Sequence, residues 1–124
     1  MTKVLIVDDS KVVRSFVSKC LDELNISDKD EAIHGQDALE KVKASMPDVI
    51  LLDWNMPVMD GLEFLKELRQ LPNGGDVTVI FCTTENDIGK IQEAISNTAD
   101  EYIMKPFDAE ILRSKFNQLG ISLD

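Results

Sequence analysis

The sequence predicts an α/β protein, one domain with a five-stranded, doubly wound parallel sheet and five helices. Several runs of consecutive apolar residues are too continuous for strands with one wet face, so they indicate parallel strands covered on both faces. The clearest runs are residues 4–7, 49–52 and 77–82. Between them, apolar residues recur at spacings of three and four, as on one face of an α-helix. Strands that alternate with helices form parallel sheets through right-handed crossovers.

The first predicted strand, residues 4–7, is followed by a helix that begins near Ser10 and ends near Asn25. The apolar pattern then fails. The charged segment 25–34 therefore indicates only a short edge strand. A second helical stripe follows Gly35 and restores the alternation of strands and helices.

Segment 48–61 is the stretch on which the predicted site depends. Its apolar run forms the central strand and carries the carboxylate of Asp53 to the end of the core. Pro57 prevents regular structure from continuing beyond it. Asp60 is typical of a helix N-cap, and Gly61 then opens the third helix.

The second half of the chain predicts a loop, two strands and two helices. The loop covers residues 72–75, the strands cover 77–82 and 102–104, and the helices cover 88–95 and 109–119. Asn86 or Asp87 would cap the first of these helices and Asp108 the second, which Gly120 ends. Like Asp60, these aspartates are interpreted as caps rather than catalytic acids.

The length and charge of the chain exclude several classes of function. With 124 residues and a net charge of −10, the chain has room for one domain and would repel nucleic acid or an anionic membrane. No apolar run approaches the roughly 20 residues of a bilayer span. Cys20 and Cys82 lie in apolar patterns without metal-site spacing, which indicates buried free thiols in a reducing compartment. We therefore expect a cytoplasmic protein without membrane insertion or nucleic-acid binding.

Polar side chains follow four of the predicted strands, at the point where each strand ends. They are Asp8, Asp9, Asp53, Thr83 and Lys105. In doubly wound sheets, ligands bind beyond the carboxyl ends of the strands, where the strand order reverses. We therefore expect these five side chains to lie at one edge of the sheet.

The chemistry of that edge favours a phosphoryl group. Three carboxylates about 4–5 Å apart would repel one another by roughly 3–4 kcal/mol per pair at an effective dielectric constant near 20. Either one acid keeps a proton or a divalent cation balances the charge, and oxygen ligands without a histidine and cysteine cluster favour Mg²⁺. Lys105 adds a positive charge and Thr83 a hydroxyl donor. The combination predicts phosphoryl transfer to Asp53 as the nucleophile.

These residues resemble the receiver domains of two-component response regulators, especially single-domain, chemotaxis-type CheY-like proteins. The motifs that carry the resemblance are D-D at Asp8, D-W-N-M-P-V-M-D-G from Asp53, T-T-E from Thr83 and K-P-F from Lys105. The resemblance covers essentially the whole chain and implies the flavodoxin-like strand order 2-1-3-4-5. It also implies that residues 1–124 are a single receiver domain without an output domain. Such a domain is not an enzyme beyond its own phosphorylation and dephosphorylation.

By this resemblance Asp53 is the phosphoacceptor. Mg²⁺ would be bound by Asp8, Asp9 and Asp53 and by the backbone carbonyl of Asn55. Lys105 would pair with the new phosphoryl group.

The resemblance also implies a switch and two tuning positions. Thr83 would move to the new phosphoryl oxygen, and the rotamer of Tyr102 would follow it. Asn55 and Glu85 match positions that tune the loss of phosphate. The bond between Lys105 and Pro106 would be the cis peptide of the family.

Two positions depart from the family pattern, and two other residues are given no part in the chemistry. Thr98 stands where the family has glycine, so a positive φ would be costly there and Asn97 is expected to absorb the turn. Segment 28–31 is more charged than the second strand of the family. Trp54 is interpreted as surface packing that should still sense metal binding, and His34 as a turn residue.

The expected function is a signalling switch. Asp53 would take phosphate from the phosphohistidine of a histidine kinase or histidine phosphotransfer protein, and the domain would then dock to a target. The expected docking face combines residues 88–95, 102–105 and the last helix. A flagellar motor switch protein in chemotaxis is the favoured target, and a phosphorelay shuttle or phosphate sink in another pathway is the alternative.

Two other classes of function are disfavoured by single features. A Mg²⁺-dependent aspartyl-phosphate hydrolase would need an acid two residues after the nucleophile, and Asn55 occupies that position. A flavin or dinucleotide binder would need a glycine-rich loop after the first strand, where Asp8-Asp9-Ser10 stands instead.

Overall fold

The computed structural model describes residues 2–54, 56–83, 92, 93, 96, 99–105 and 107–121. The strands are β1 (Val4–Val7), β2 (Lys29–Ala32), β3 (Val49–Asp53), β4 (Thr78–Thr83) and β5 (Glu101–Met104). The α-helices of this described part are α1 (Lys11–Glu23), α2 (Gly35–Ala44), α3 (Gly61–Arg69) and α4 (Ala109–Gln118), and a 3₁₀ turn covers Gly74–Asp76. Most of the predicted helix 88–95, its caps Asn86 and Asp87, and the turn at Asn97 and Thr98 lie outside the described residues.

All five strands are parallel and stand in the order β2-β1-β3-β4-β5, which confirms the predicted fold. The strand order reverses at β1 and β3, which pair with Val7 opposite Leu52. β3 in turn pairs Asp53 with Cys82 of β4. Because of this register, Asp8, which follows Val7, stands level with Asp53 at the carboxyl end of the sheet.

The core lies in two layers, one on each face of the sheet, because alternate strand residues point to opposite faces. The layer beneath α2 and α3 contains Leu5, Val7, Ile50, Leu52, Val79 and Phe81. The layer beneath α1 and α4 contains Val4, Ile6, Val49, Leu51, Ile80 and Cys82. Both cysteines are free and buried, as predicted. Since both faces are covered, β1 and the apolar part of β3 are hydrophobic throughout, which explains the continuous runs in the sequence.

Three of the helices described here begin at residues where the sequence indicated a helix start. Ser10, Asp60 and Asp108 cap α1, α3 and α4, and each side chain accepts a hydrogen bond from the backbone N–H three residues further on. His34 is more than a turn residue, because its Nδ1 caps α2 in the same way at 3.1 Å. Gly120, with a φ of 73°, lies just beyond the end of α4. No helix in the described part of the chain has the length and apolarity needed to cross a membrane.

The charged segment 25–34 does contain the predicted edge strand, which is β2. Only Ala32 among its four residues is fully buried. The carboxylate of Glu31 accepts a hydrogen bond from Nε of Arg14 at 2.9 Å. Charged side chains on an edge strand oppose pairing with a second sheet, so this composition suits the position of β2.

Val58 is a strained residue in the loop between β3 and α3. Its φ of 69° is costly for a β-branched side chain, and that side chain is 76% exposed, so little burial offsets the strain. We predict that Val58→Asn raises the free energy of unfolding by about 1 kcal/mol, because asparagine tolerates a positive φ better than valine. Urea denaturation at constant pH measures this difference.

Val12→Asn is the matched control, since Val12 is 78% exposed and lies within α1. Valine and asparagine have similar helix propensities, so this substitution should leave stability nearly unchanged. A Val58 variant no more stable than the wild type would contradict the assignment of strain to that residue.

Candidate functional site

Three carboxylates meet at the carboxyl end of the sheet, where β1 and β3 run side by side. Asp8 and Asp9 directly follow β1, and Asp53 is the last residue of β3. Each contributes one oxygen atom, and these atoms lie within 4.8 Å of one another. The sequence predicted this cluster, and the structure brings its three acids together.

The ammonium of Lys105 lies between two of these acids. Lys105 is the residue that directly follows β5. Its Nζ donates hydrogen bonds to Oδ2 of Asp8 at 2.8 Å and to Oδ1 of Asp53 at 3.2 Å. The lysine side chain is 16% exposed and that of Asp8 is 5% exposed, so water screens the contact only partly. With the three acids ionised and the lysine charged, the cluster carries a net charge of −2.

Burial and charge act in opposite directions on this cluster. Burial raises the pKa of Asp53 above its ordinary value, the charge of Lys105 opposes the rise, and the charge of Asp8 adds to it. For Lys105, burial lowers the pKa, but the hydrogen bond to Asp8 and the charge of Asp53 outweigh it, so that the pKa is raised. The ammonium therefore stays protonated, while ionisation of Asp53 is disfavoured until more positive charge enters the site.

The donor set fits a hard divalent cation. All three candidate ligands are carboxylates, and a small set of oxygen ligands suits Mg²⁺. Cys82, which pairs with Asp53 across β3 and β4, does not compete as a soft ligand. Burial raises its pKa to about 12, so the thiol keeps its proton. Asp8, Asp9 and Asp53 are thus the described residues that could hold Mg²⁺.

The three acids differ in how firmly they are held. Asp8 is buried, its Oδ1 accepts a hydrogen bond from the N–H of Ser10 at 2.9 Å, and its Oδ2 is bound to Lys105. Asp9 is exposed, and 14% of the Asp53 side chain reaches solvent. A group arriving from solvent can therefore reach Asp53, whereas Asp8 serves as a fixed anchor.

Two glycines allow the loop after Asp53 to pack closely on its neighbours. The N–H of Gly61 donates to the carbonyl of Trp54 at 3.0 Å, and a Cβ on Gly61 would lie only 2.4 Å from the carbonyl oxygen of Asp53. The N–H of Gly35 donates to the carbonyl of Met59 at 3.0 Å, and a Cβ there would lie 2.5 Å from that oxygen. Any side chain at either position would push the loop away from the site.

The interpretation of Trp54 as surface packing is wrong. Its side chain is 8% exposed, and its ring centre lies 5.0 Å from that of Phe81. Trp54 belongs to the same core layer as Ile50 and Leu52, because the alternation of β3 continues past Asp53. The indole is therefore a buried neighbour of the site.

Thr83 and Tyr102, the predicted switch residues, lie on β4 and β5. The backbone of Thr83 ends β4 at the same edge of the sheet, but its side chain lies outside the described part of the structure. Asn55, Glu85 and Pro106 also lie outside it. Tyr102 is partly buried in β5, and the ammonium of Lys115 lies 5.7 Å from its ring centre. The expected roles of these residues stay predictions.

Two residues beside the site were not predicted. Arg14 in α1 donates a hydrogen bond from Nη1 to the carbonyl oxygen of Asp8 at 2.8 Å. Gly35 begins α2 and admits the loop described above. A glycine at the first position of a helix, where it is a weak helix former, was a usable signal for Gly35. An arginine four residues into a helix carried no such signal.

Comparison with known proteins agrees with this architecture. The response regulator receiver domain family matches residues 4–117. Chemotaxis protein CheY1 of Helicobacter pylori is 36% identical over 114 residues, which cover 91% of this chain and 92% of that protein. The chemotaxis protein CheY homolog of Campylobacter jejuni is 35% identical over 118 residues, which cover 94% of this chain and 91% of that protein.

A solved structure, that of chemotaxis protein CheY4 of Vibrio cholerae, has the same fold. It aligns with a TM-score of 0.88 at 36% identity, covering 95% of this chain and 98% of that one. The family match extends over nearly the whole chain, and the relatives are of matching length. On these grounds the chain belongs to the response regulator receiver domain family.

Proposed function

We propose that Asp53 accepts a phosphoryl group from the phosphohistidine of a histidine kinase or histidine phosphotransfer protein, and that the phosphorylated domain signals by docking to a target protein. The observation that carries this proposal is the ammonium of Lys105, held between Asp8 and Asp53 within a cluster of three carboxylates. An anionic site with a fixed cation can take up an anionic group only if further positive charge is present. Mg²⁺ bound by Asp8, Asp9 and Asp53, and by the backbone carbonyl of Asn55, would supply that charge.

In the transfer step, an oxygen of Asp53 forms a bond to phosphorus while the bond from phosphorus to the imidazole nitrogen breaks. The electron pair of that bond stays on the imidazole nitrogen, and a proton already on the other ring nitrogen, or one taken up from solvent, makes the leaving donor a neutral histidine. Lys105 remains protonated and pairs with phosphoryl oxygens as they approach Asp53. Its shorter contact, 2.8 Å, is to Asp8, so the ammonium stays anchored when the oxygen of Asp53 turns to phosphorus.

The proposed switch that follows phosphorylation would involve Thr83 and Tyr102. Thr83 would donate its hydroxyl to a phosphoryl oxygen, and Tyr102 would follow with a change of rotamer. Asn55 and Glu85 would tune the lifetime of the phosphorylated form, and the peptide between Lys105 and Pro106 would be cis. The position of Thr83 at the end of β4, on the same edge as Asp53, supports its part in this scheme.

Chemotaxis is the pathway that the relatives favour, since the similar proteins of Helicobacter pylori and Campylobacter jejuni are named chemotaxis proteins. The output would then be docking to a flagellar motor switch protein. The alternative output is a phosphorelay shuttle or phosphate sink. In either pathway the domain would act in the cytoplasm through protein partners, without nucleic acid or membrane insertion, and would turn over no substrate besides its own phosphoryl group.

Phosphorylation of Asp53 is tested directly with acetyl phosphate and Mg²⁺. We predict that intact mass spectrometry finds one labile phosphoryl adduct on the wild type, and none after Asp53→Asn or with EDTA. Asp60→Asn is the matched control, because it also removes one carboxylate, at the start of the helix that follows β3, while asparagine still caps α3. Wild-type protein that takes up no phosphoryl group, or Asp53→Asn that still takes one up, would overturn the proposal.

Replacement of Lys105 tests its pairing with Asp8 and its part in phosphoryl transfer. Without Mg²⁺, we predict that Lys105→Met lowers the free energy of unfolding by about 2 kcal/mol, because buried Asp8 loses its charged partner. The same variant should bind Mg²⁺ more tightly than the wild type, since a competing cation is gone, yet accept phosphate more slowly. Urea denaturation, calorimetric Mg²⁺ titration and the acetyl phosphate reaction measure the three effects.

Lys115→Met is the control, because Lys115 lies on α4 and pairs with Glu101 rather than with the three acids. It should leave Mg²⁺ affinity and the rate of phosphorylation unchanged. If Lys105→Met accepts phosphate at the wild-type rate, the ammonium has no part in the transfer.

A further inference from the structure

Arg14 connects the carboxylate cluster to the edge strand β2. It is the fourth residue of α1, and its side chain is only 12% exposed. One donor, Nη1, reaches the carbonyl oxygen of Asp8 at 2.8 Å, and a second, Nε, reaches Oε1 of Glu31 at 2.9 Å. A planar guanidinium can make both contacts at once because its donors point in fixed directions.

The contact with the Asp8 carbonyl determines the direction of the peptide group that joins Asp8 to Asp9. The N–H of Asp8 is bound to the carbonyl of Ala32 at 3.1 Å, and its Oδ1 is bound to the N–H of Ser10. With its carbonyl held by Arg14, the backbone of Asp8 is held on both sides. Asp9, in contrast, has an exposed side chain, so the place of its carboxylate depends on this peptide group.

We propose that Arg14 is a positioning residue that holds the Asp8–Asp9 turn in the geometry that binds the divalent cation. The inference rests on the Mg²⁺ site of the proposed function and adds to it a residue that contacts no ligand oxygen. Residues that orient the ligands of a metal commonly change its affinity by tenfold or more when they are replaced.

The positive charge of Arg14, considered alone, would weaken Mg²⁺ binding instead of supporting it. A guanidinium close to the cluster repels an incoming cation, so removing it should strengthen Mg²⁺ binding if its charge were all that mattered. The carboxylate of Glu31, 2.9 Å from Nε of Arg14, offsets that charge. Arg14 can therefore orient the peptide group with little repulsion of the cation. The positioning role and the charge effect therefore predict changes of opposite sign in the same measurement.

The test is calorimetric titration of the full chain with Mg²⁺ at 20 °C, with circular dichroism to confirm that each variant is folded. We expect Arg14→Gln to raise the Kd for Mg²⁺ about tenfold. Lys11→Gln is the matched control, because Lys11 is an exposed cation at the start of the same helix. It should leave the Kd unchanged or slightly lower it.

Arg14→Gln that binds Mg²⁺ as tightly as the wild type, or more tightly, would overturn the inference. If Arg14→Gln does not fold, Arg14→Lys decides instead, since it keeps the charge and loses the planar pair of donors. A raised Kd in Arg14→Lys supports positioning, and a wild-type Kd refutes it. Wild-type protein that binds no Mg²⁺ would refute the proposed metal site as well, whereas phosphorylation of Asp53 is judged separately by mass spectrometry.

Discussion

The structure of the site depends on one contact, the ammonium of Lys105 held between Asp8 and Asp53. These residues are far apart in the chain, since the residue numbers of Lys105 and Asp8 differ by 97 and those of Lys105 and Asp53 by 52. Their contact therefore exists only if β1, β3 and β5 end at the same edge of one sheet. It offsets part of the repulsion among three acids and leaves a net charge of −2, which a divalent cation can balance.

The fold supports this contact with rigid elements on every side. The register of β1 against β3 sets Asp8 level with Asp53, and the two core layers fix both strands from above and below. Gly35 and Gly61 let the loop after Asp53 pack where any side chain would intrude. The strained backbone of Val58 lies in that same loop, so some conformational energy is stored beside the site.

The sequence was informative where structure follows from local rules. Continuous apolar runs located the buried strands, and Ser10, Asp60 and Asp108 located the helix starts, because both signals act within a few residues. Carboxylates at strand ends then indicated the site. Contacts that helix residues make with distant segments were not predictable in this way. The packing of Gly35 against Met59 and the reach of Arg14 to Asp8 depend on how α1 and α2 sit on the sheet.

The burial of Trp54 could have been read from alternation with Ile50 and Leu52, but the charged neighbour Asp53 hid that pattern.

The most direct test of the account is a crystal structure of the chain with Mg²⁺ and beryllofluoride, a phosphoryl mimic. The account predicts beryllium bonded to a carboxylate oxygen of Asp53, the ammonium of Lys105 within hydrogen-bond distance of a fluoride, and Mg²⁺ about 2.0–2.1 Å from the nearest carboxylate oxygens of the cluster. Beryllofluoride bound elsewhere, or Mg²⁺ that is bound by none of Asp8, Asp9 and Asp53, would contradict it.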